Sequence, residues 1–263
     1  MDIMRKTGVV IPCYNEAKRL DTKSFLTTLE DQPELSFLFV DDGSTDGTLQ
    51  VLNSIKEQNL NRIDILHLEQ NSGKAEAVRR GILKLIDGEY ENVGYWDADL
   101  ATPLEAIAEF CQLLDSTDRT MVIGSRVRLL GRRVERNALR HYVGRIFATC
   151  ASLLLQVVIY DTQCGAKMFR NSDALRNVFG KPFKVNWTFD VEMLARFPLV
   201  SGVSPAQLSA RWYEYPLKEW IDVKGSKVKL KDFFIGGLEF CTLFGYLHTP
   251  ARKRYEKYLA GSE

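Results

Sequence analysis

Short β-rich runs alternate with amphipathic helical segments through the first half of the chain, and this alternation constrains the fold more than any other feature. The helical segments include TLQVLNSIKEQ and KAEAVRRGILKLI. The apolar runs between them are TGVVIPCYN, LSFLFVDDGS, IDILHLEQN, NVGYWDADL and TMVIGSR. Strands that alternate with helices in this way form βαβ units, whose parallel sheet is covered on both faces. The pattern therefore predicts an α/β fold with a mainly parallel sheet flanked by helices.

The chain contains no linker rich in proline, glycine or serine that would mark a domain boundary. Beyond about residue 125 the alternation gives way to an arginine-rich stretch, a long apolar helical stretch and shorter pieces. We therefore predict a single domain over residues 1–263. Its parts are a regular first half over 7–125, an elaborated second half over 126–232, and C-terminal amphipathic helices over 233–263.

The charge and the cysteine content limit which binding partners and which cellular compartment the sequence is consistent with. The 35 lysines and arginines balance 34 aspartates and glutamates, so the net charge of +1 predicts no nucleic-acid partner. The five cysteines include no C-x-x-C pair, which argues against a disulfide framework or a structural zinc site. No secretory signal is recognisable, and polar residues interrupt the later apolar stretches before they reach membrane-spanning length. These features predict a reducing, cytoplasmic location.

Polar and glycine residues follow the apolar runs. In open α/β sheets, ligands bind in a crevice outside the carboxyl ends of the strands. The residues that the pattern brings toward such a crevice are Asn15, Glu16, Asp41, Asp42, Asn71, Gly73, Asp97, Asp99 and Arg126. We therefore expect one binding site at this edge of the sheet.

Asp97 and Asp99 end the fourth apolar run, where their like charges repel unless a cation lies between them. Carboxylate oxygens suit Mg²⁺ or Mn²⁺, so the pair predicts a divalent metal site. The alternative is structural: one aspartate caps the following helix and the other is solvated. Thr102, Pro103 and Glu105 have the spacing of an N-cap, a first-turn proline and a capping-box glutamate, which predicts that a helix begins at Pro103.

Two further motifs contain candidate ligands for a nucleotide. Asp41 and Asp42 end a β-run, where a carboxylate can accept a hydrogen bond from a uracil or guanine N–H or from a ribose hydroxyl. Asn53 stands where an EF-hand needs glutamate, which argues against a calcium loop. Gly73 and Lys74 begin a helix without the spacing of a Walker A loop, so Lys74 is either part of the site or a solvated first-turn residue.

Residues 124–145 contain seven arginines and a single acid, Glu135. Guanidinium groups with so little counter-charge favour phosphate, although a solvated helical face is the simpler alternative for several of them. The apolar stretch that follows favours an anionic lipid surface, and no aromatic stacking platform interleaves the arginines, which argues against nucleic acid. The seven are Arg126, Arg128, Arg132, Arg133, Arg136, Arg140 and Arg145.

Six ordered motifs cover most of the chain: VVIPCYNE, FVDDGSTDGT, NSGKAEAVRRG, WDADLATP, GSR and DTQCGAKMF. In order and spacing they resemble the family-2 glycosyltransferases of the GT-A fold, and within them the polyprenyl-phosphate glucose and mannose synthases. The likeness extends from Val9 to about Lys229. It implies a GT-A fold with a Rossmann-like sheet, in which 7–125 binds a nucleotide sugar and 126–232 faces the acceptor.

The resemblance also implies a role for each group of motif residues. The base and ribose of the donor are held by Pro12, Tyr14, Asn15, Glu16, Asp41 and Asp42. Gly73 and Lys74 belong to the same donor site, and Asp97 and Asp99 bind the Mg²⁺ or Mn²⁺ that bridges the donor diphosphate. Arg126 and Arg140 face the acceptor phosphate, and the acceptor side is closed by Asp161, Gln163, Gly165 and Lys167. The implied catalytic residues are Asp99, Arg126, Arg140, Asp161, Gln163 and Lys167.

The resemblance favours glucose over mannose. DTQCGAKMF is similar to the D-T-Q-C-G-F-K of glucose synthases, and Ala101 stands where mannose synthases carry glutamine. It implies a metal-dependent inverting transferase that moves glucose from UDP-glucose to a polyprenyl or dolichyl phosphate. The alternatives are GDP-mannose as donor, a glycan hydroxyl as acceptor, or a membrane-docking protein that binds a nucleotide sugar without turnover. Because the sequence lacks the membrane helices of related synthases, we expect peripheral attachment to the cytoplasmic membrane surface.

The implied reaction needs no strong base. A phosphate monoester with a second pKa near ~6 is largely dianionic at neutral pH, so a phosphate oxygen attacks the anomeric carbon directly and inverts it. A hydroxyl acceptor would need a carboxylate base such as Asp190 or Glu192. Both lie in a stretch that is equally consistent with a helical surface.

Overall fold

The computed structural model describes residues 5–135, 138–221 and 230–261, apart from the side chains of 135, 138–141 and 230–233. The strands within these ranges are β1 (Thr7–Cys13), β2 (Leu35–Asp42), β3 (Ile63–Leu68), β4 (Asn92–Trp96), β5 (Met121–Ser125), β6 (Arg133–Glu135), β7 (Ala166–Arg170), β8 (Trp212–Pro216) and β9 (Glu219–Ile221). The helices are α1 (Thr22–Asp31), α2 (Thr48–Gln58), α3 (Lys74–Ile86), α4 (Ala106–Asp115), α5 (Ala138–Leu155), α6 (Asp173–Phe179), α7 (Phe189–Ser201), α8 (Pro205–Ser209), α9 (Leu230–His248) and α10 (Arg252–Ala260).

One seven-stranded sheet organises the fold, in the order β3, β2, β1, β4, β7, β5, β8. β7 is antiparallel to its neighbours β4 and β5, and the other neighbouring pairs are parallel. β6 and β9 pair in parallel as a separate ribbon. Each of the five predicted β-runs contains one strand, β1 to β5, and the predicted mainly parallel sheet is confirmed.

Helices cover both faces of the sheet because successive side chains of a strand point to opposite sides. Val9 and Ile11 of β1 join one core, together with α1, α2 and α4. Val10 joins the other core, together with α3, α6 and α7. All eight residues of β2 are buried, as expected for a parallel strand that is covered on both faces.

The strand order creates a switch point next to β1. The chain adds β2 and β3 on one side of β1 and then returns to place β4 on its other side. These four strands are parallel, so their carboxyl ends open at one edge of the sheet. A ligand crevice is expected at this point, between the loops that diverge from β1 and β4.

The helix that follows the aspartate pair begins at Ala106, so the predicted start at Pro103 is wrong. Thr102 is buried, its carbonyl oxygen accepts a hydrogen bond from the Trp96 indole N–H at 2.8 Å, and its hydroxyl lies 4.0 Å from Cys164 Sγ. These tertiary contacts take Thr102 away from the capping position. Glu105 directly precedes the helix and makes no capping hydrogen bond through its side chain.

The two most apolar stretches of the second half form α5 and α9. The rings of Phe147 and Phe240 meet edge to face with centroids 4.7 Å apart, and His248 Nε2 lies 2.9 Å from the carbonyl oxygen of Leu154. Contacts in this order indicate that the two helices run side by side in the same direction. Among the helices of the described ranges, none has the length and apolar content needed to cross a membrane.

Candidate active site

A crevice of about 460 Å³ opens beyond the carboxyl ends of β1, β2 and β4. This volume falls in the range of about 300–1,000 Å³ that is usual for small-molecule sites. The lining residues are Pro12, Cys13, Tyr14, Glu16, Arg19, Asp42, Asn71, Gly73, Lys74, Ala77, Asp97, Ala98 and Asp99. Most of the residues expected on the donor side therefore meet here, whereas Asn15 and Asp41 are not among the lining residues.

Asn15 ties the loop after β1 to the loop after β2. Its backbone is left-handed, with φ of +53°, a conformation that asparagine adopts more readily than most residues. Its N–H donates to Ser44 Oγ at 3.0 Å, and its side-chain Oδ1 accepts from the Thr45 N–H at 2.9 Å. Asn15 thus supports the loop that presents Tyr14 and Glu16 to the crevice.

Asp41 and Asp42 have different surroundings although they are adjacent. Asp41 is fully buried, and its Oδ2 lies 2.8 Å from His67 Nδ1. Asp42 lines the crevice and accepts the N–H groups of Ser72 and Gly73 at 2.7 and 2.9 Å. Burial raises the pKa of Asp42, although these two hydrogen bonds act against the rise. Asp42 therefore faces the ligand space and orders the start of α3, while Asp41 supports it from inside.

Asp97 is held from two sides. Its Oδ1 lies 2.5 Å from Lys74 Nζ, and its backbone N–H donates to the Gly165 carbonyl oxygen at 2.9 Å. A Cβ on Gly165 would lie 1.8 Å from Asp97 Oδ2, far inside contact distance, so only glycine leaves room for this carboxylate. The segment predicted for the acceptor side thus supports the predicted metal site directly.

Asp99 faces the same crevice, and its Oδ1 accepts the Ala101 N–H at 3.1 Å. Burial raises the pKa of Asp99, and so does the negative charge of Asp97, while Lys74 and Arg19 act against the rise. Neither carboxylate caps α4. Two crowded carboxylates at a crevice fit Mg²⁺ or Mn²⁺, which bind one or two protein carboxylates and complete their shell with water and phosphate oxygens.

No cluster of three or more histidine, cysteine, aspartate or glutamate side chains suited to a metal occurs within residues 5–135, 138–221 and 230–261. A bound molecule or water would supply further ligands to a metal at Asp97 and Asp99. A diphosphate in the crevice is the matching chemistry.

Arg126 and Asp161 form a partly buried ion pair beyond the end of β5. Arg126 Nε and Nη2 donate to the two carboxylate oxygens of Asp161 at 2.6 and 2.8 Å. Burial alone would lower the pKa of Arg126, but Asp161 outweighs it and the pKa is raised. Glu214 accepts the N–H groups of Tyr160 and Asp161 at 2.7 and 2.8 Å, which fixes this loop on β8.

A small polar cavity of about 20 Å³ lies between this loop and α5, and its lining includes Arg126, Arg145, Thr162 and Gln163. The Arg145 guanidinium lies 3.6 Å from the ring centroid of Tyr160 and donates to the Tyr160 carbonyl oxygen at 3.3 Å. Thr162 Oγ1 is buried and has no hydrogen-bond partner in the described part of the chain. Two guanidinium groups and an unsatisfied hydroxyl therefore meet at one place. Arg140 lies on α5, and its side chain falls outside the described residues.

Lys167 lies on β7, fully buried and away from the crevice. Its Nζ donates to the Cys164 carbonyl oxygen at 2.7 Å and to Asp190 Oδ1 at 2.6 Å, and the Tyr95 hydroxyl donates to the same carboxylate oxygen. Glu192 is buried as well, and its Oε1 lies 2.6 Å from Nη2 of Arg196, one helical turn further along α7. The alternative that this stretch is a helical surface is therefore wrong.

Three residues at the site had no individual role in the sequence-based prediction. Arg19 lines the crevice and donates to both oxygens of Glu16 at 2.9 and 2.6 Å; the spacing of three residues was the available signal. Arg145 was one of seven arginines that the sequence does not distinguish. Glu214 is 53 residues away from the Asp161 N–H that it accepts, and no local pattern reports such a contact.

Comparisons with known proteins agree with this geometry. A family model described as glycosyl transferase family 2 matches residues 8–176. The dolichyl-phosphate beta-glucosyltransferase of Dictyostelium discoideum is 33% identical over 222 residues, which are 79% of this chain and 66% of the relative. The enzyme of that name from Saccharomyces cerevisiae is 32% identical over 244 residues, 85% of this chain and 69% of the relative. The chain thus spans about two thirds of the length of these relatives.

Solved structures give the same fold. Glucosyl-3-phosphoglycerate synthase from Mycobacterium tuberculosis, in complex with Mn²⁺, UDP and glucosyl-3-phosphoglycerate, superposes with a TM-score of 0.65 at 17% identity over 94% of this chain and 81% of that chain. S. aureus TarS 1-349 superposes with a TM-score of 0.55 at 18% identity over 98% of this chain and 70% of that chain. At such identities the likeness shows the fold, and the predicted GT-A class is confirmed.

Proposed function

Because the chain belongs to glycosyl transferase family 2, we propose that it transfers glucose from UDP-glucose to the phosphate of a polyprenyl or dolichyl lipid, with inversion at the anomeric carbon. The names of the curated relatives support this sugar and this acceptor. The observation that carries the proposal is the crevice, where Asp42, Lys74, Asp97 and Asp99 face one space.

On the donor side, Tyr14 and Asp42 contact the base and ribose. Tyr14 lines the crevice with part of its ring exposed, so a base can stack on it. Asp42 already accepts two N–H groups, but each carboxylate oxygen has a second lone pair for a ribose hydroxyl or a base N–H. The other donor-side residues shape the loops around these two: Pro12, Asn15, Glu16, Asp41 and Gly73.

Asp97 and Asp99 would hold Mg²⁺ or Mn²⁺ together with the donor diphosphate. When bound, the metal neutralises charge that develops on the departing nucleoside diphosphate. The chain keeps both carboxylates oriented before the donor arrives, because Gly165 packs against Asp97 and the Ala101 N–H binds Asp99. Lys74 adds a positive charge on the crevice side.

On the acceptor side, Arg126 and Arg145 attract the lipid phosphate, and Asp161 holds the Arg126 guanidinium in one orientation. Arg140 serves the same phosphate by resemblance, and Gln163 lines the small cavity together with Arg126 and Arg145. Lys167 is a positioning residue, because its ammonium binds the Cys164 carbonyl within the acceptor loop. The nucleophile is a phosphate oxygen, which needs no carboxylate base.

We propose in addition that α5 and α9 attach the protein peripherally to the cytoplasmic membrane surface. The large exposed apolar side chains on these helices are Tyr142, Ile146, Leu153, Phe234, Ile235, Leu238 and Phe244. On α5 they recur at helical spacing, beside the basic Arg145. An apolar helical face next to basic residues is typical of an element that lies in the membrane interface.

The test is a transfer assay with polyprenyl phosphate, Mg²⁺ or Mn²⁺, and radiolabelled UDP-glucose or GDP-mannose in separate reactions. We expect label in the organic phase from UDP-glucose, and its loss on addition of a chelator. Asp99→Asn should abolish most of this transfer, whereas Asp87→Asn, at an exposed aspartate paired with Arg176, should not. Label from GDP-mannose alone would overturn the donor, and full transfer by Asp99→Asn would overturn the role of the aspartate pair.

A further inference from the structure

Lys74 and Asp97 form an ion pair inside the proposed metal site. Lys74 Nζ lies 2.5 Å from Asp97 Oδ1. Asp97 Oδ2 lies against the backbone of Gly165, where an added Cβ would come within 1.8 Å of it. One carboxylate oxygen therefore lies against glycine backbone, and the other is paired with an ammonium group. A divalent cation that approaches Asp97 from the crevice meets a positive charge that repels it.

Lys74 has the freedom to leave this position. It is the first residue of α3, it follows Gly73 with φ of +88°, and its side chain is 42% exposed at the crevice. A lysine is a point charge on a flexible stem, in contrast to the two-pronged guanidinium contact of Arg126 with Asp161. The other carboxylates whose charges act on Lys74 are Asp99 and Asp190. The ammonium therefore stays among acids until another anion enters the crevice.

We propose that Lys74 holds the metal site closed until a nucleoside diphosphate binds. The diphosphate brings negative charge into the crevice, draws the ammonium away from Asp97 and supplies the remaining metal ligands. Metal and nucleotide then bind together, and the metal alone binds weakly. The inference rests on the proposed function, since it places a nucleoside diphosphate and a divalent cation in the same crevice. It makes Lys74 a positioning residue that couples the binding of the two.

Binding of Mn²⁺, followed by the electron paramagnetic resonance signal of the free aquo ion, tests this coupling without any turnover. Wild-type protein is compared with Lys74→Met and with Lys84→Met, each with and without UDP. Lys84 is the matched control, because it lies on the same helix and pairs with Asp64 at a similar distance of 2.6 Å, outside the crevice lining. A second neutral variant, Lys74→Gln, guards against an effect specific to methionine.

The expected signature is a pair of opposite changes. Without UDP, Lys74→Met and Lys74→Gln should bind Mn²⁺ about tenfold more tightly than the wild type, since the competing ammonium is gone. At saturating Mn²⁺ the same variants should bind UDP about tenfold more weakly, since the diphosphate has lost a cationic partner. Lys84→Met should match the wild type in both titrations. A lysine that only stabilises the fold would not tighten metal binding.

Unchanged or weaker binding of Mn²⁺ by both Lys74 variants, with folding confirmed by circular dichroism, would overturn the inference. The transfer assay separates this failure from failure of the proposed function. Transfer from UDP-glucose with unchanged Mn²⁺ affinity in the variants refutes the role of Lys74 alone. Opposite changes in Mn²⁺ and UDP affinity without transfer to lipid support the role of Lys74 and refute the proposed acceptor or sugar.

Discussion

Gly165 shows how a single residue without a side chain determines the geometry of a charged one. Its backbone packs against Asp97 so closely that a methyl group would overlap the carboxylate, at 1.8 Å from Oδ2 and 2.1 Å from Cγ. Gly165→Ala should therefore displace the Asp97 carboxylate and weaken binding of Mn²⁺ with UDP by about tenfold or more. Isothermal titration with UDP at saturating Mn²⁺ measures the change.

The control for this substitution is Gly237→Ala on α9, where an added Cβ meets no atom of the described residues within 4 Å beyond the nearby backbone of its own helix. This variant should bind UDP and Mn²⁺ like the wild type, and its free energy of unfolding should be equal or slightly higher, because alanine favours a helix over glycine. Equal binding by Gly165→Ala and the wild type would mean that the Asp97 carboxylate reaches the metal from another position.

The contact between β7 and α7 is an ionic link inside the core. Lys167 of β7 is fully buried, and its ammonium binds Asp190 of α7, which also accepts the Tyr95 hydroxyl. Lys167→Met leaves a buried carboxylate without its cation and should lower the free energy of unfolding by about 3–5 kcal/mol. Urea denaturation measures this loss, and Asp190→Asn in the Lys167→Met background should recover part of it. A lysine that touches the acceptor instead would give a variant of normal stability without transfer activity.

Asp64 links three elements of the fold, namely β3, α2 and α3. It lies on β3 and pairs with Lys56 of α2 at 2.8 Å and with Lys84 of α3 at 2.6 Å. Burial raises its pKa, but the two lysines outweigh burial and lower it from 3.8 to about 2. The pairing therefore contributes stability above a pH near 4, and the contribution is lost as the pH falls toward 2.

Asp64→Asn should consequently be less stable than the wild type at pH 7 and equally stable near pH 2. The difference at pH 7 should be about 1 kcal/mol or less, because about half of the Asp64 side chain is exposed to solvent, which screens the ion pairs. Urea denaturation at a series of pH values measures the gap. A gap that stays constant as the medium becomes acidic would show that the ion pairs do not stabilise the fold.

The accuracy of the sequence-based prediction varied with the range of the contacts involved. β1 to β5 were predictable because near-continuous apolar runs and helical periodicity are local patterns. The start of α4 was not, because Thr102 is engaged by Trp96 and lies near Cys164, and neither contact is local. The burial of Asp190 was missed for the same reason, because its cationic partner Lys167 lies on β7. Glu192 pairs with Arg196 within α7, but it also accepts a hydrogen bond from the hydroxyl of Tyr255 on α10, and that contact is not local.

At the scale of the whole molecule, the net charge of +1 gives little long-range attraction to an anionic membrane, so the membrane attachment that we propose would depend on the local face of α5 and α9. Leu153 on this face is 75% exposed and Leu60, which follows α2, is 69% exposed, so the two leucines form a matched pair. Leu153→Glu should reduce flotation with vesicles of phosphatidylcholine and phosphatidylglycerol by about tenfold, because a carboxylate replaces buried apolar contact and is repelled by the anionic headgroups. Leu60→Glu should float like the wild type.

High salt should weaken membrane binding of the wild type only in part, because salt screens the attraction of the arginines to the anionic headgroups and leaves the apolar contact intact. Equal loss in both variants would indicate that the overall charge governs attachment, and no loss in either would place the contact with the membrane elsewhere on the protein.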